Sequence, residues 1–172
     1  MVLLGIEGTV SFADKLASSE SFKLLFREGM ALVEETAAYL DGDGRDEAKQ
    51  LSRLAALAYA TESMRLTTRL MQLASWLLLQ RAVNEGELTQ GEAAAEKRKV
   101  RLTEQLISTG PQVLAKLPPR FLNIVEKSLR LQGRVLHLDR LLNPAAKGAP
   151  EPPAMPLEPQ LELLRAAFAL SD

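Results

Sequence analysis

Residues 45–84 run for forty positions without a glycine or a proline. They are dominated by Leu, Ala, Arg, Met, Gln and Glu, the residues that lose least on entering a helix. The stretch predicts one helix of about 60 Å at 1.5 Å per residue, and such a rod must be covered by neighbours. Leu57, Met64, Met71 and Leu78 recur every seven residues, with Leu51, Leu54, Ala58 and Thr61 extending the face. Between Leu66 and Leu79 the chain is apolar nearly all round, so more than one face needs cover. A second copy is one way to supply it, and the expectation is a homodimer through the helical body. Trp76 and Leu77 then lie near that seam or in the ordinary core, and Met30, Met64 and Met71 read as core.

The flanking segments supply candidate partners. Phe22, Leu25, Phe26, Gly29, Met30, Val33, Ala37 and Leu40 share one helical face, with Ser18 or Ser19 as cap and Asp41-Gly42-Asp43-Gly44 as stop. Thr89-Gln90-Gly91-Glu92 has the spacing of a capping box and starts a third helix reaching about Ile107. Pro118-Pro119 opens a fourth that runs to about Leu142, with Ile124, Leu131, Val135 and Leu138 on its apolar side. Residues 1–17 show no sustained period and read as a flexible arm. Six of the nine prolines fall in 144–159, which excludes a helix there. Residues 160–170 regain helical spacing through Leu161, Leu164 and Phe168. The expected fold is all-α: an antiparallel three- to four-helix bundle over 18–142, a flexible arm over 1–17, and a Pro-rich linker with a short amphipathic tail over 143–172. A three-helix bundle with an irregular 85–118 connection fits nearly as well.

Composition narrows the chemistry. There is no cysteine and one histidine in 172 residues, so thiol nucleophiles, thiolate sites and multi-His metal sites are excluded. Neither a phosphate-binding glycine loop nor an acid–base pair stands out. Glu62, three and seven residues before Arg65 and Arg69, reads as helix ion pairing. No catalytic residue, cofactor or metal is expected. The first residues lack the basic and apolar regions of a secretory signal, and no apolar run approaches the roughly 20 residues of a membrane span, so a cytoplasmic location is expected.

Charge is uneven: residues 1–47 carry ten acids and four bases, residues 97–142 ten bases and three acids. Complementary packing explains this as simply as a partner surface does. The candidate partner-binding residues are Lys127, Arg130, Arg134, His137 and Arg140 on one side of the fourth helix, with Leu161, Leu164 and Phe168 in the tail. Lys97-Arg98-Lys99 and Arg101 form a second basic cluster. Few aromatics accompany them, so nucleic acid is an unfavoured partner.

Two runs carry a family resemblance. One is Phe22-Lys23-Leu24-Leu25-Phe26-Arg27-Glu28-Gly29-Met30, continuing to Tyr39-Leu40-Asp41-Gly42. The other is Ala58-Tyr59-Ala60-Thr61-Glu62-Ser63-Met64-Arg65, continuing through Trp76 to Ala82; the run from Ser128 to Leu142 is similar. They resemble the regulator-of-CtrA-degradation (RcdA) family of alphaproteobacteria. The resemblance implies a dimeric, non-enzymatic helical bundle that acts in the cell cycle as an adaptor for the ClpXP protease. The implied partners are the primed ATP-dependent protease, a response regulator and cargo transcription regulators. From the residues alone, the competing reading is a regulatory module that binds a nucleotide signal or nucleic acid through its basic helix.

Overall fold

The computed structural model describes residues 12–100, 102 and 109–143. Among them the regular elements are all helices: α1 (Phe12–Ala17), α2 (Glu20–Asp41), α3 (Asp43–Lys49), α4 (Arg53–Asn84), α5 (Gln90–Val100), α6 (Pro111–Leu114) and α7 (Pro119–Leu142). The all-α class and the bundle are as expected. The tail residues Leu161, Leu164 and Phe168, the proline-rich linker after Asn143 and the end of the expected third helix lie outside the described residues.

Three long helices pack together. Gly29 on α2 faces Leu77 on α4, and Arg81 lies over the Phe26 ring, so α2 and α4 are antiparallel. Tyr59 meets Phe121 and Arg69 meets Ser128, so α4 and α7 are parallel. That direction requires the chain to travel back along α4 between them. It has done so by Thr109, whose hydroxyl donates to Glu62 Oε1 at 2.6 Å; Glu62 and Asn84 are about 33 Å apart along a helix axis.

The core comprises Leu66, Leu73, Trp76 and Leu77 of α4, Phe121, Ile124, Leu131 and Val135 of α7, and Phe22, Leu25, Leu32 and Tyr39 of α2, all buried. At one end Tyr39 and Tyr59 flank Phe121, with centroids 6.3 and 4.7 Å away. Gly44 sits beneath them. A Cβ there would lie 2.7 Å from the Tyr39 carbonyl oxygen and from the Tyr59 hydroxyl, so the tight turn into α3 needs a residue without a side chain.

Three local expectations change and one holds. The forty-residue helix is two. Gln50 and Leu51 amides donate to Glu47 and Ala48, closing tight turns, and Ser52 restarts the helix by accepting from the Ala55 amide at 3.4 Å. Capping chemistry therefore breaks a stretch that has no helix-breaking residue. Phe12–Ala17, inside the span expected to be a loose arm, forms α1, and Ala17 is buried. Ser19 is the N-cap residue of α2 but makes no side-chain cap; its hydroxyl donates back to the Leu16 carbonyl at 2.6 Å. Thr89 and Glu92 do form the expected box: the Thr89 amide donates to Glu92 Oε2 at 2.9 Å and the Glu92 amide to Thr89 Oγ1 at 3.2 Å. The Thr89 amide, and the Thr89 hydroxyl that donates to the same carboxylate oxygen at 2.8 Å, hold the Glu92 pKa below its ordinary value.

Candidate functional site

The largest departure from the sequence reading is on α4. Its most regular apolar repeat faces outward: Leu57, Met64, Met71 and Leu78 are 66%, 73%, 67% and 52% exposed, and Leu54 is exposed too. Met64 and Met71 are therefore surface residues, whereas Trp76 and Leu77 are fully buried, which removes them from any external seam. The buried face is chemically mixed. It contains Leu66, Leu70, Leu73, Trp76 and Leu77 alongside Glu62, Arg69 and Gln80. The core took the face with the larger side chains, because packing energy follows area and volume rather than regularity of period.

Leu54, Thr61, Thr68 and Ser75 alternate with Leu57, Met64, Met71 and Leu78 in a three-four spacing, the seam of a coiled coil. The hydroxyls of Thr61 and Ser75 donate to the carbonyls of Leu57 and Met71, at 3.0 and 2.9 Å. Covering this stripe therefore leaves those two hydroxyls with hydrogen bonds already made. At Met71 it meets a groove between α2 and α4, about 290 Å³ in volume, lined by Val33, Ala37, Leu40, Leu70 and Ala74 among others.

The basic side of α7 is arranged differently from a free cationic ridge. Arg120 bonds Asp43 at 2.7 Å, Lys127 bonds Glu35 at 3.0 Å and Arg134 bonds Glu28. These bases recur every seven residues, and their acids belong to α2 and α3, so the acidic and basic thirds of the sequence meet across the bundle. Arg130 pairs within α7 with Glu126 at 2.6 Å. His137 and Arg140 are exposed. The ladder lies on the rim, where each pair contributes between zero and about 1 kcal/mol.

Sequence reasoning missed a polar chain that runs inward from exposed Asn84 to buried Gln80 and Lys97. Asn84 donates to the Ala17 carbonyl. Gln80 donates to Asn84 Oδ1 at 3.1 Å, and Lys97 Nζ donates to Gln80 Oε1 at 2.6 Å. That ammonium lies 4.3 Å from the centroid of the Trp76 ring, whose indole N–H donates to Asp139 Oδ1 at 2.8 Å. Burial, opposed by the Asp139 charge, pushes the Lys97 pKa down to about 8. A second buried set lies farther along α4. Arg69 donates to Ser128 Oγ at 2.8 Å; burial lowers its pKa while the Glu62 carboxylate raises it. Only the four-residue steps from Gln80 to Asn84 and from Ala93 to Lys97 hinted at these contacts. Tyr39 donates to Glu47 Oε2 at 2.7 Å, and burial followed by that carboxylate raises its pKa.

Among the described residues no three His, Cys, Asp or Glu side chains stand close enough to hold a metal ion, and no helix is long and apolar enough to cross a membrane. What the surface offers is contact area: an apolar stripe, an adjoining groove and a rim of paired charge.

Comparison with known proteins agrees with the sequence resemblance. A family model described as a protein of unknown function (DUF1465) matches residues 13–168. No curated protein matches. The crystal structure of RcdA from Caulobacter crescentus CB15 is similar, with 55% identity and a TM-score of 0.60, over 72% of this chain and 92% of that one. The family match and the kinship with RcdA concern the same body of sequence, and the chain belongs to the DUF1465 family, the family of RcdA.

Proposed function

We propose that this protein is a non-enzymatic adaptor in regulated proteolysis, working in the cytoplasm. It holds a cargo protein at an ATP-dependent protease of the ClpXP type that a response-regulator partner has primed, in step with the cell cycle. The observation that carries this reading is the 55% identity to RcdA across nearly all of that chain. The surface is consistent with it, since an adaptor needs contact area rather than reacting groups. Tethering raises the effective concentration of cargo at the protease, so individually weak contacts suffice. The decisive experiment is reconstituted degradation of candidate cargo, transcription regulators first, by the primed protease. The reading predicts faster turnover when this chain is added, and no acceleration of any cargo overturns it.

The exposed stripe on α4 is the proposed homodimer seam. Its heptad spacing suits a second α4, and two of its hydroxyls are already satisfied within the helix. Partner contacts are proposed for the outer part of the α7 ridge, at Arg130, His137 and Arg140; Lys127 and Arg134 are engaged by α2. The tail residues Leu161, Leu164 and Phe168 are proposed to recruit a partner. Acids facing the basic helix weigh against the nucleotide and nucleic-acid reading. Calorimetry with a cyclic dinucleotide and duplex DNA tests it.

A further inference from the structure

α5 is attached to the bundle by little apolar surface. Of its eleven residues only Ala93 and Lys97 are buried. They lie one turn apart on one face, with Ala94, Ala95 and Val100 half-buried beside them, so the helix is seated by small apolar side chains and one lysine. The lysine covers the face of Trp76, the one tryptophan of the chain. Most core contacts in this protein join large side chains of the long helices. Here the cover is an ammonium group that burial strips of water.

Among the described residues the groups that face Lys97 are few. From α4 they are Gln80, whose Oε1 accepts its hydrogen bond at 2.6 Å, and the Trp76 ring, both neutral. From α7 the charge acting on it is Asp139, which accepts the indole N–H of Trp76. On α5 itself Glu96, Arg98 and Lys99 are exposed, and Glu96 pairs with Lys99 at 2.6 Å.

We propose that α5 is a proton-linked cover over Trp76: seating it strips water from Lys97 and favours loss of a proton, and uptake of a proton favours its release. The sign follows from the two environments. In solvent the amine titrates near 10.4; seated, it titrates at about 8. Between these values the released form binds more protons, so raising the pH favours seating and lowering it favours release. The proposal stands independently of the adaptor reading.

The test uses the full chain and its single tryptophan. Acrylamide quenching of Trp76 and hydrogen exchange of the α5 amides, corrected for the intrinsic pH dependence of exchange, are measured at pH 7 and 9.5. The α5 opening equilibrium is expected to fall roughly 25-fold between them, with α5 exchanging faster than α4 and α7 at pH 7. Lys97→Met and Lys97→Gln are expected to remove the pH dependence; either variant that retains the native circular dichroism serves. Asp139→Asn, which keeps an acceptor for Trp76, is expected to shift the fluorescence midpoint to lower pH. The proposal is overturned if α5 is protected to the same degree as α4 and α7, if the pH effect survives in the Lys97 variants, or if native Trp76 emission shows no transition between pH 7 and 9.5.

Discussion

Glycine in a helix ordinarily costs about 1 kcal/mol relative to alanine, yet two helical glycines here predict opposite outcomes. Gly133 is exposed in α7, and a Cβ on it meets nothing within 4 Å. Gly133→Ala should stabilise the protein by about 1 kcal/mol, read as a rise in thermal midpoint of roughly 3 °C. Gly44→Ala drives a methyl into the Tyr39 backbone and the Tyr59 hydroxyl. It should destabilise by about 1–3 kcal/mol in urea unfolding despite better helix propensity. Arg69 sets a third test. It is 1% exposed, and the Glu62 charge that favours it is 2% exposed. Arg69→Ala leaves a buried carboxylate without that positive neighbour and should cost about 3 kcal/mol or more. Adding Glu62→Gln should recover part of the loss; full independence of the two substitutions would show that the groups are not coupled.

At the scale of elements, α4 carries two faces that compete for the interior. The regular one lost because α2 and α7 present space for Leu66, Leu73, Trp76 and Leu77, and these fill it in all directions. The face left over has the geometry of a seam without a partner helix among the described residues. The α2–α7 ladder sets orientation and adds little to stability. Lys127→Glu, placed against Glu35, should cost about 0.5–1 kcal/mol and Glu35→Lys a similar amount, while the double exchange restores native stability. A double-mutant cycle at low salt and again at 1 M salt measures the coupling, which should fade at high salt because these side chains are partly exposed.

For the whole molecule, the stripe and the tail make separable predictions. Met64→Glu combined with Met71→Glu places two charges on an exposed seam. It should abolish self-association in sedimentation velocity at micromolar concentration and leave the far-ultraviolet circular dichroism unchanged. An unaltered sedimentation coefficient in the variant would remove α4 from the interface. Deletion of residues 157–172 should leave the thermal midpoint almost unchanged and weaken delivery of cargo in the reconstituted degradation assay. A large loss of thermal stability would instead assign that segment to the core.

The sequence by itself determined the class of fold and several helix ends, because these follow from local chemistry. The gap-free helix formers, the Thr89–Glu92 box, Pro118-Pro119 and the glycines after Asp41 all act over one or two turns. It also showed the opposed charge of the two ends of the chain, which the ion pairs from Asp43, Glu35 and Glu28 to α7 account for. The break at Ser52 was harder to see, since Ser is an ordinary residue inside a helix and a cap only where the preceding turn closes. Periodicity identified apolar faces but not which face the bundle buries. That choice belongs to tertiary structure: two stripes on one helix are equivalent until neighbours of definite size and direction pack against one of them. For the same reason a lysine in a basic run became a buried contact of the tryptophan. Its place was set by Gln80, Trp76 and Asp139, distant along the chain and adjacent only once α4, α5 and α7 had packed.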